Sequence, residues 1–142
     1  MGYRLDTFHV PTGEESSFLD IWRSEGAGRL YRPVRTDAGL PFLALACARD
    51  GEYEVVHEQG DVDGAGGVML FARPQSAAAW LEARALVGAR RGFIGARLLR
   101  SSVDAGSVAV MMHWSSPLMI HRAASDPGIG SVVAGAVYKL VT

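Results

Sequence analysis

Two stretches of this chain read alike. Arg29-Leu30-Tyr31-Arg32 leads to Asp37-Ala38-Gly39 and the apolar run Phe42 to Ala48, which ends in Arg49. Arg97-Leu98-Leu99-Arg100 leads to Asp104-Ala105-Gly106 and the apolar run Val108 to Met112, which ends in His113-Trp114. The lead-ins correspond as well. Phe8-His9-Val10-Pro11 precedes a stretch carrying Phe18-Leu19, and Phe71-Ala72-Arg73-Pro74 precedes one carrying Trp80-Leu81. A repeat decides architecture before any single motif, because each copy is a supersecondary unit that covers its apolar face with the other. The chain therefore reads as two similar α+β units, 1–59 and 68–142, joined by a glycine-rich linker at 60–67.

Periodicity fills in the units. Tyr3 to Val10 reads as a strand that Pro11-Thr12-Gly13 breaks. Glu14-Glu15 suit the positive end of a helix dipole, and Phe18, Leu19 and Trp22 fall on one helical face. Strands follow at about 29–35 and 42–49. Asp50-Gly51 has the composition of a hairpin turn, and Tyr53 to Glu58 alternates as a fourth strand. The second unit predicts a strand at Val68 to Ala72 and a helix opened by Pro74 and Ser76. Strands at about 96–101 and 107–113 come next. Ser115-Ser116-Pro117 starts another helix, with a capping serine and a proline in the first turn; Asp126-Pro127-Gly128 closes it, and Ala136 to Val141 is the last strand. The order β-α-β-β-α-β is the ferredoxin-like split βαβ arrangement. The first unit lacks the second helix: only a tight turn separates its third and fourth strands.

Composition excludes several classes. Of 142 residues, 49% are apolar and 20% charged, enough for a packed core. The net charge of -1 lacks the basic excess of a nucleic-acid binder. The longest apolar runs are strand-length, so no membrane span is expected. Met1 to Val10 has no signal-like block, and Asp6 stands where N-myristoylation wants Ser or Thr, so the expected location is cytoplasmic. Cys47 is alone, which leaves no disulfide framework and no cysteine zinc site; within an apolar strand it reads as a small core residue.

The run Gly92-Phe93-Ile94-Gly95-Ala96-Arg97-Leu98-Leu99-Arg100-Ser101, followed by a strand ending His113-Trp114-Ser115-Ser116, resembles the antibiotic biosynthesis monooxygenase (ABM) family. That family carries a similar Gly-Phe-Leu-Gly-x-x-Leu-Leu strand, and a Trp-x-Ser where the third strand meets the second helix. The resemblance covers residues 68–142; residues 3–49 match more weakly, with Arg49 about where Trp114 stands. It implies an α+β fold of two ferredoxin-like halves, of the dimeric α/β-barrel type, around a cavity. Either one chain or a homodimer can supply the two sheets. The implied activities are cofactor-free oxygenation of aromatic polyketides and haem degradation; aromatic polyketide cyclases share the architecture. The family's polyketide oxygenases place Asn four residues before the Trp and Tyr six after it, where this chain has Val110 and Ile120. Its haem-degrading members place a histidine ligand at about 123–125, which here reads Ala-Ala-Ser.

The resemblance puts Trp114 on the cavity, its indole N–H donating to a substrate oxygen; the plain alternative is a core tryptophan under the second helix. His113 and His121 flank it and are the candidate bases, since imidazole moves protons near neutral pH. Strand alternation puts His113 opposite Trp114, which favours His121. Arg97 and Arg100 lie on one strand, and either could bind an oxyanion or stay solvated. Tyr138 is core or cavity. Met112, with Met69, Met111 and Met119, suits an adaptable apolar wall. His9 and His57 could approach if the first and fourth strands pair. No metal site is expected, since no third histidine or carboxylate has ligand spacing, and no cofactor is expected. The expected partners are a small aromatic molecule, and dioxygen if the protein is an oxygenase. The functional expectation is tailoring of an aromatic polyketide or related polycyclic phenol, by cofactor-free monooxygenation. A cyclase on the same fold, or a non-catalytic ligand-binding module, are the alternatives.

Overall fold

The computed structural model describes residues 2–26, 28–34, 40–49, 51–62, 67–104 and 106–141. The linker's centre and the Asp-Ala-Gly of the first repeat lie outside the described residues. The elements are β1 (Gly2–Phe8), α1 (Glu15–Glu25), β2 (Arg29–Pro33), β3 (Phe42–Ala48), β4 (Tyr53–Gly60), β5 (Val68–Ala72), α2 (Ala77–Gly88), β6 (Phe93–Ser101), β7 (Val108–Trp114), α3 (Pro117–Ala124) and β8 (Gly135–Leu140). The serines that open α2 and α3 act as caps: Ser76 accepts from the Ala79 N–H at 3.1 Å, and Ser116 from that of Met119 at 3.4 Å. Among the described residues, no helix is long and apolar enough to cross a membrane.

The eight strands form one closed antiparallel barrel in the order β1-β3-β2-β8-β5-β7-β6-β4. Each half is ordered fourth-first-third-second, as in a ferredoxin-like sheet. The halves join where β2 meets β8 and where β6 meets β4. The fold is thus α+β, two ferredoxin-like halves closed into a barrel by a single chain.

Asp50 of the expected hairpin turn lies outside the described residues, and the two strands it would join, β3 and β4, are not neighbours. Instead the chain crosses over the start of β1, and β4 continues onto the edge of β6, touching β1 only where Tyr3 stands opposite Tyr53. This crossing replaces the missing helix and needs two glycines. A Cβ on Gly51 would lie 2.5 Å from the Tyr3 nitrogen and 2.7 Å from the Tyr3 oxygen. One on Gly2 would lie 2.5 Å from the Tyr53 oxygen. Backbone atoms cannot swing aside as a side chain can. Gly51→Ala is therefore expected to destabilise by about 1–3 kcal/mol, the scale of overpacking. A lower urea midpoint would register it, and an unchanged midpoint would mean that the crossing has slack.

β4 also slips register between Val55 and His57. Such a bulge moves every later side chain to the other face. Val55 faces the barrel with Leu99, but Glu58, opposite Arg97, faces it too. His57 and Gln59 turn outward to α2, where Arg84 Nη1 lies 2.6 Å from His57 Nε2 and Gln59 donates to the Arg84 carbonyl at 3.0 Å. His9 is not nearby. With Tyr3 opposite Tyr53 in antiparallel pairing, the two histidines lie in opposite directions from the crossing, roughly 30 Å apart along the strands at ~3.3 Å per residue.

Three apolar layers result. Tyr31, Leu43, Leu45, Met69, Leu99, Met111 and Tyr138 fill the barrel. Outside the second half, Leu70, Leu98, Val110, Met112 and Trp114 meet Trp80 and Val87 of α2 and Ile120 and Ala123 of α3. Outside the first half, Leu30, Phe42 and Ala44 meet Phe18 and Trp22 of α1, which has no buried residue of its own. A fully buried large side chain contributes about 1.5–3 kcal/mol, so the second half carries more of the packing energy.

Candidate functional site

Strand register explains the repeat. Arg29 stands opposite Leu45 on β3, as Arg97 stands opposite Met111 on β7. In each copy the first Arg faces the barrel mouth and the Leu (Leu30, Leu98) faces the helices. The third residue (Tyr31, Leu99) fills the interior, and the last Arg turns outward, Arg32 to Glu15 at 3.5 Å and Arg100 to Glu54 at 3.9 Å. The equivalent strands run the same way, so Arg29 and Arg97 reach the same end of the barrel. The same register makes Cys47 the counterpart of His113, and Ala48, not Arg49, that of Trp114. Leu5 is the counterpart of Phe71, so the Phe8 lead-in is offset from the Phe71 lead-in by three residues.

At this mouth a pocket of about 250 Å³ is lined by Tyr3, Arg29, Tyr31, Cys47, Arg97 and His113, with Met111 among its apolar walls. A second, of about 320 Å³, shares Arg29, Tyr31 and His113 and extends past Met69 and Lys139. Arg97 and His113, 9% and 7% exposed, are the only buried basic side chains among the described residues, and both line this mouth. Burying such groups is costly unless they are satisfied. The Arg97 Nε lies 3.2 Å from a Glu58 carboxylate oxygen, and its guanidinium stacks 4.9 Å from the Tyr3 ring centre. Burial pushes the Tyr3 phenol up, against the pull of Arg97.

The sequence-derived candidates divide. Arg97 and His113 come together at the mouth. Trp114 does not join them: as the next residue on β7 it faces the helices, fully buried, its ring edge-on to Phe93 at 5.4 Å. This placement corrects the expectation that it lines the cavity; the indole Nε1 has no hydrogen-bond partner among the described residues. Met112 lies in the same outer core. His121 is exposed on α3, which reverses the preference for it over His113. Arg100 is on the outer face. Tyr138 faces the barrel interior but lines its opposite end. Cys47 is exposed at the mouth, not in the core. Tyr3, Arg29, Tyr31 and Glu58 were not singled out from the sequence. The repeat held the signal for Arg29, since it is the copy of Arg97.

Tyr138 is raised from its ordinary value by burial, with Arg73 opposing. A phenol with a folded-state pKa above the unfolded value of about 10 stabilises the fold fully below that pH and loses the contribution as pH rises through the folded value. Tyr138→Phe is therefore expected to flatten the loss of stability above pH 10, measured by urea unfolding at pH 8 to 11. An equally steep decline in the variant would assign the alkaline sensitivity elsewhere.

No group of three or more His, Cys, Asp or Glu that could hold a metal ion occurs among the described residues. The haem-ligand position implied by the ABM resemblance is filled by Ala123, Ala124 and Ser125, which offer no imidazole, so this chain does not fit haem ligation in that mode.

No protein-family model matches the sequence, and no curated protein does. Solved structures do. An anthrone oxidase-like protein is 16% identical with a TM-score of 0.66, over 99% of this chain and 91% of that one. A ferredoxin-fold protein from Listeria monocytogenes, related to antibiotic biosynthesis monooxygenases, is 14% identical with a TM-score of 0.62, over 97% and 94%. A heme-degrading enzyme from the same organism is 13% identical with a TM-score of 0.62, over 97% and 98%. At these identities the likeness is one of fold: the chain has the ferredoxin-fold architecture of ABM-like monooxygenases.

Proposed function

We propose that this chain is a cofactor-free monooxygenase of a compact aromatic polyketide or related polycyclic phenol, bound at the barrel mouth with His113 as general base. One observation carries the reading: the two buried basic side chains among the described residues, Arg97 and His113, converge on one pocket. A largely apolar concavity with a few convergent polar groups is the usual form of a small-molecule site, and these volumes fall near the lower end of the ~300–1,000 Å³ range. The fold likeness to an anthrone oxidase-like protein supports the substrate class.

The chemistry follows from the residues. His113 takes a proton from an acidified carbon or hydroxyl of the substrate. Arg29 and Arg97 stabilise the resulting oxyanion, while Tyr31 and Met111 exclude water and hold the ring. The carbanion reduces dioxygen and forms a carbon–peroxide bond. Loss of water then converts CH₂ to C=O: one oxygen atom is kept, and the other leaves with the two hydrogens.

The test is oxygen consumption and product mass with a hydroxylated anthrone under ¹⁸O₂. The expected result is one dioxygen consumed and one ¹⁸O retained per product. Protein-dependent conversion without oxygen uptake would make the protein a cyclase, and binding without conversion would make it a ligand-binding module.

A further inference from the structure

The end of the barrel opposite His113 holds a larger pocket, of about 430 Å³. Leu5, Leu43, Tyr53 and Phe71 form its apolar walls, and Thr7, Glu52, Arg73 and Tyr138 supply polar side chains. Phe71 and Tyr53 are only half buried, although they pack against the barrel core. The Arg73 guanidinium stacks over the Phe71 ring at 5.2 Å. It makes no ion pair with any described residue; Glu52, the carboxylate on the rim, lies beyond ion-pair distance.

We infer that this pocket is a second ligand site, for an aromatic monocarboxylate whose ring lies against Phe71 and Tyr53 and whose carboxylate meets Arg73 and the Tyr138 hydroxyl. The geometry argues for this class. Stacking on Phe71 holds the guanidinium plane at the pocket's edge, where its paired N–H groups can take a carboxylate two at a time. Tyr138 is almost wholly buried and its phenol is held in the protonated form by burial, so it is a donor at neutral pH. Half-buried aromatic walls reward a flat apolar body. Arg73, unpaired with the rim carboxylate of Glu52, and the Tyr138 donor together suit one carboxylate, and the negative rim disfavours a second. The site shares no lining residue with the mouth around Arg97 and His113, so it stands whether or not the oxygenase reading does.

The probes are 1-naphthoate and uncharged 1-naphthol, titrated calorimetrically at pH 7, with chemical-shift mapping. One naphthoate per chain is expected, with shifts at Phe71, Ala136 and Tyr138 and none at His113. Arg73→Gln should weaken naphthoate at least about tenfold, the scale of one lost charge-assisted hydrogen bond, and leave naphthol within about twofold. Arg73 is exposed, so the variant should fold. Arg73→Lys, which keeps the charge, should recover part of the affinity. Naphthol binding as tightly as naphthoate, shifts confined to the His113 mouth, or no binding at millimolar concentration would each overturn the assignment.

Discussion

Replacing His113 with alanine is expected to lower turnover by about 10²–10⁴-fold, the usual contribution of a positioned general base. The same change at exposed His121 should leave the rate unchanged. The contrast matters because the two histidines are eight positions apart in sequence but differ in what they face: one closes a pocket between two arginines, the other meets solvent. His113→Gln fills nearly the same space without the basicity; if alanine leaves the chain unfolded, the glutamine variant carries the test. Normal rates in a folded His113→Gln protein would place the base elsewhere.

Trp114→Ala is expected to cost about 3–5 kcal/mol, the range for truncating a fully buried large aromatic. Against a total stability of about 5–15 kcal/mol, that leaves a marginal or unfolded protein. Trp114→Phe should cost much less: it keeps a ring against Phe93 and removes an N–H that has no acceptor among the described residues. Urea unfolding of both variants decides the matter. A Trp114→Ala protein of normal stability but without turnover would return the tryptophan to the substrate.

The second unit was legible because its elements obey local rules. The capping serines at 76 and 116, the proline opening α3 and the continuous apolar run of β7 each act within a few residues. The first unit was legible only in part. Its Asp-Gly pair has hairpin chemistry, but β3 had its neighbours in β1 and β2, and the open place for β4 was beside β6. The bulge at Val55 to His57 left only the Val55-Val56 doublet as a trace in the residue types, and the pairing partner is what reveals the slip. The site suffered most from facing. His113 and Trp114 are adjacent, so one must turn inward and the other outward. β7 is buried on both sides, so its composition cannot tell which.

Closure by a single chain has a consequence for symmetry. In a barrel made of two identical subunits, rotation exchanges equal residues, so every group at the mouth is duplicated. Here the positions that such a rotation would exchange hold Cys47 and His113, or Tyr3 and Met69, while the arginines at 29 and 97 stay alike. The cationic pair is two-sided and the imidazole is one-sided. On the proposed reading, a flat ligand held between the arginines would meet an imidazole along one edge only, where a two-fold symmetric mouth would offer one at each edge. The mouth is an asymmetric pocket on a nearly symmetric frame.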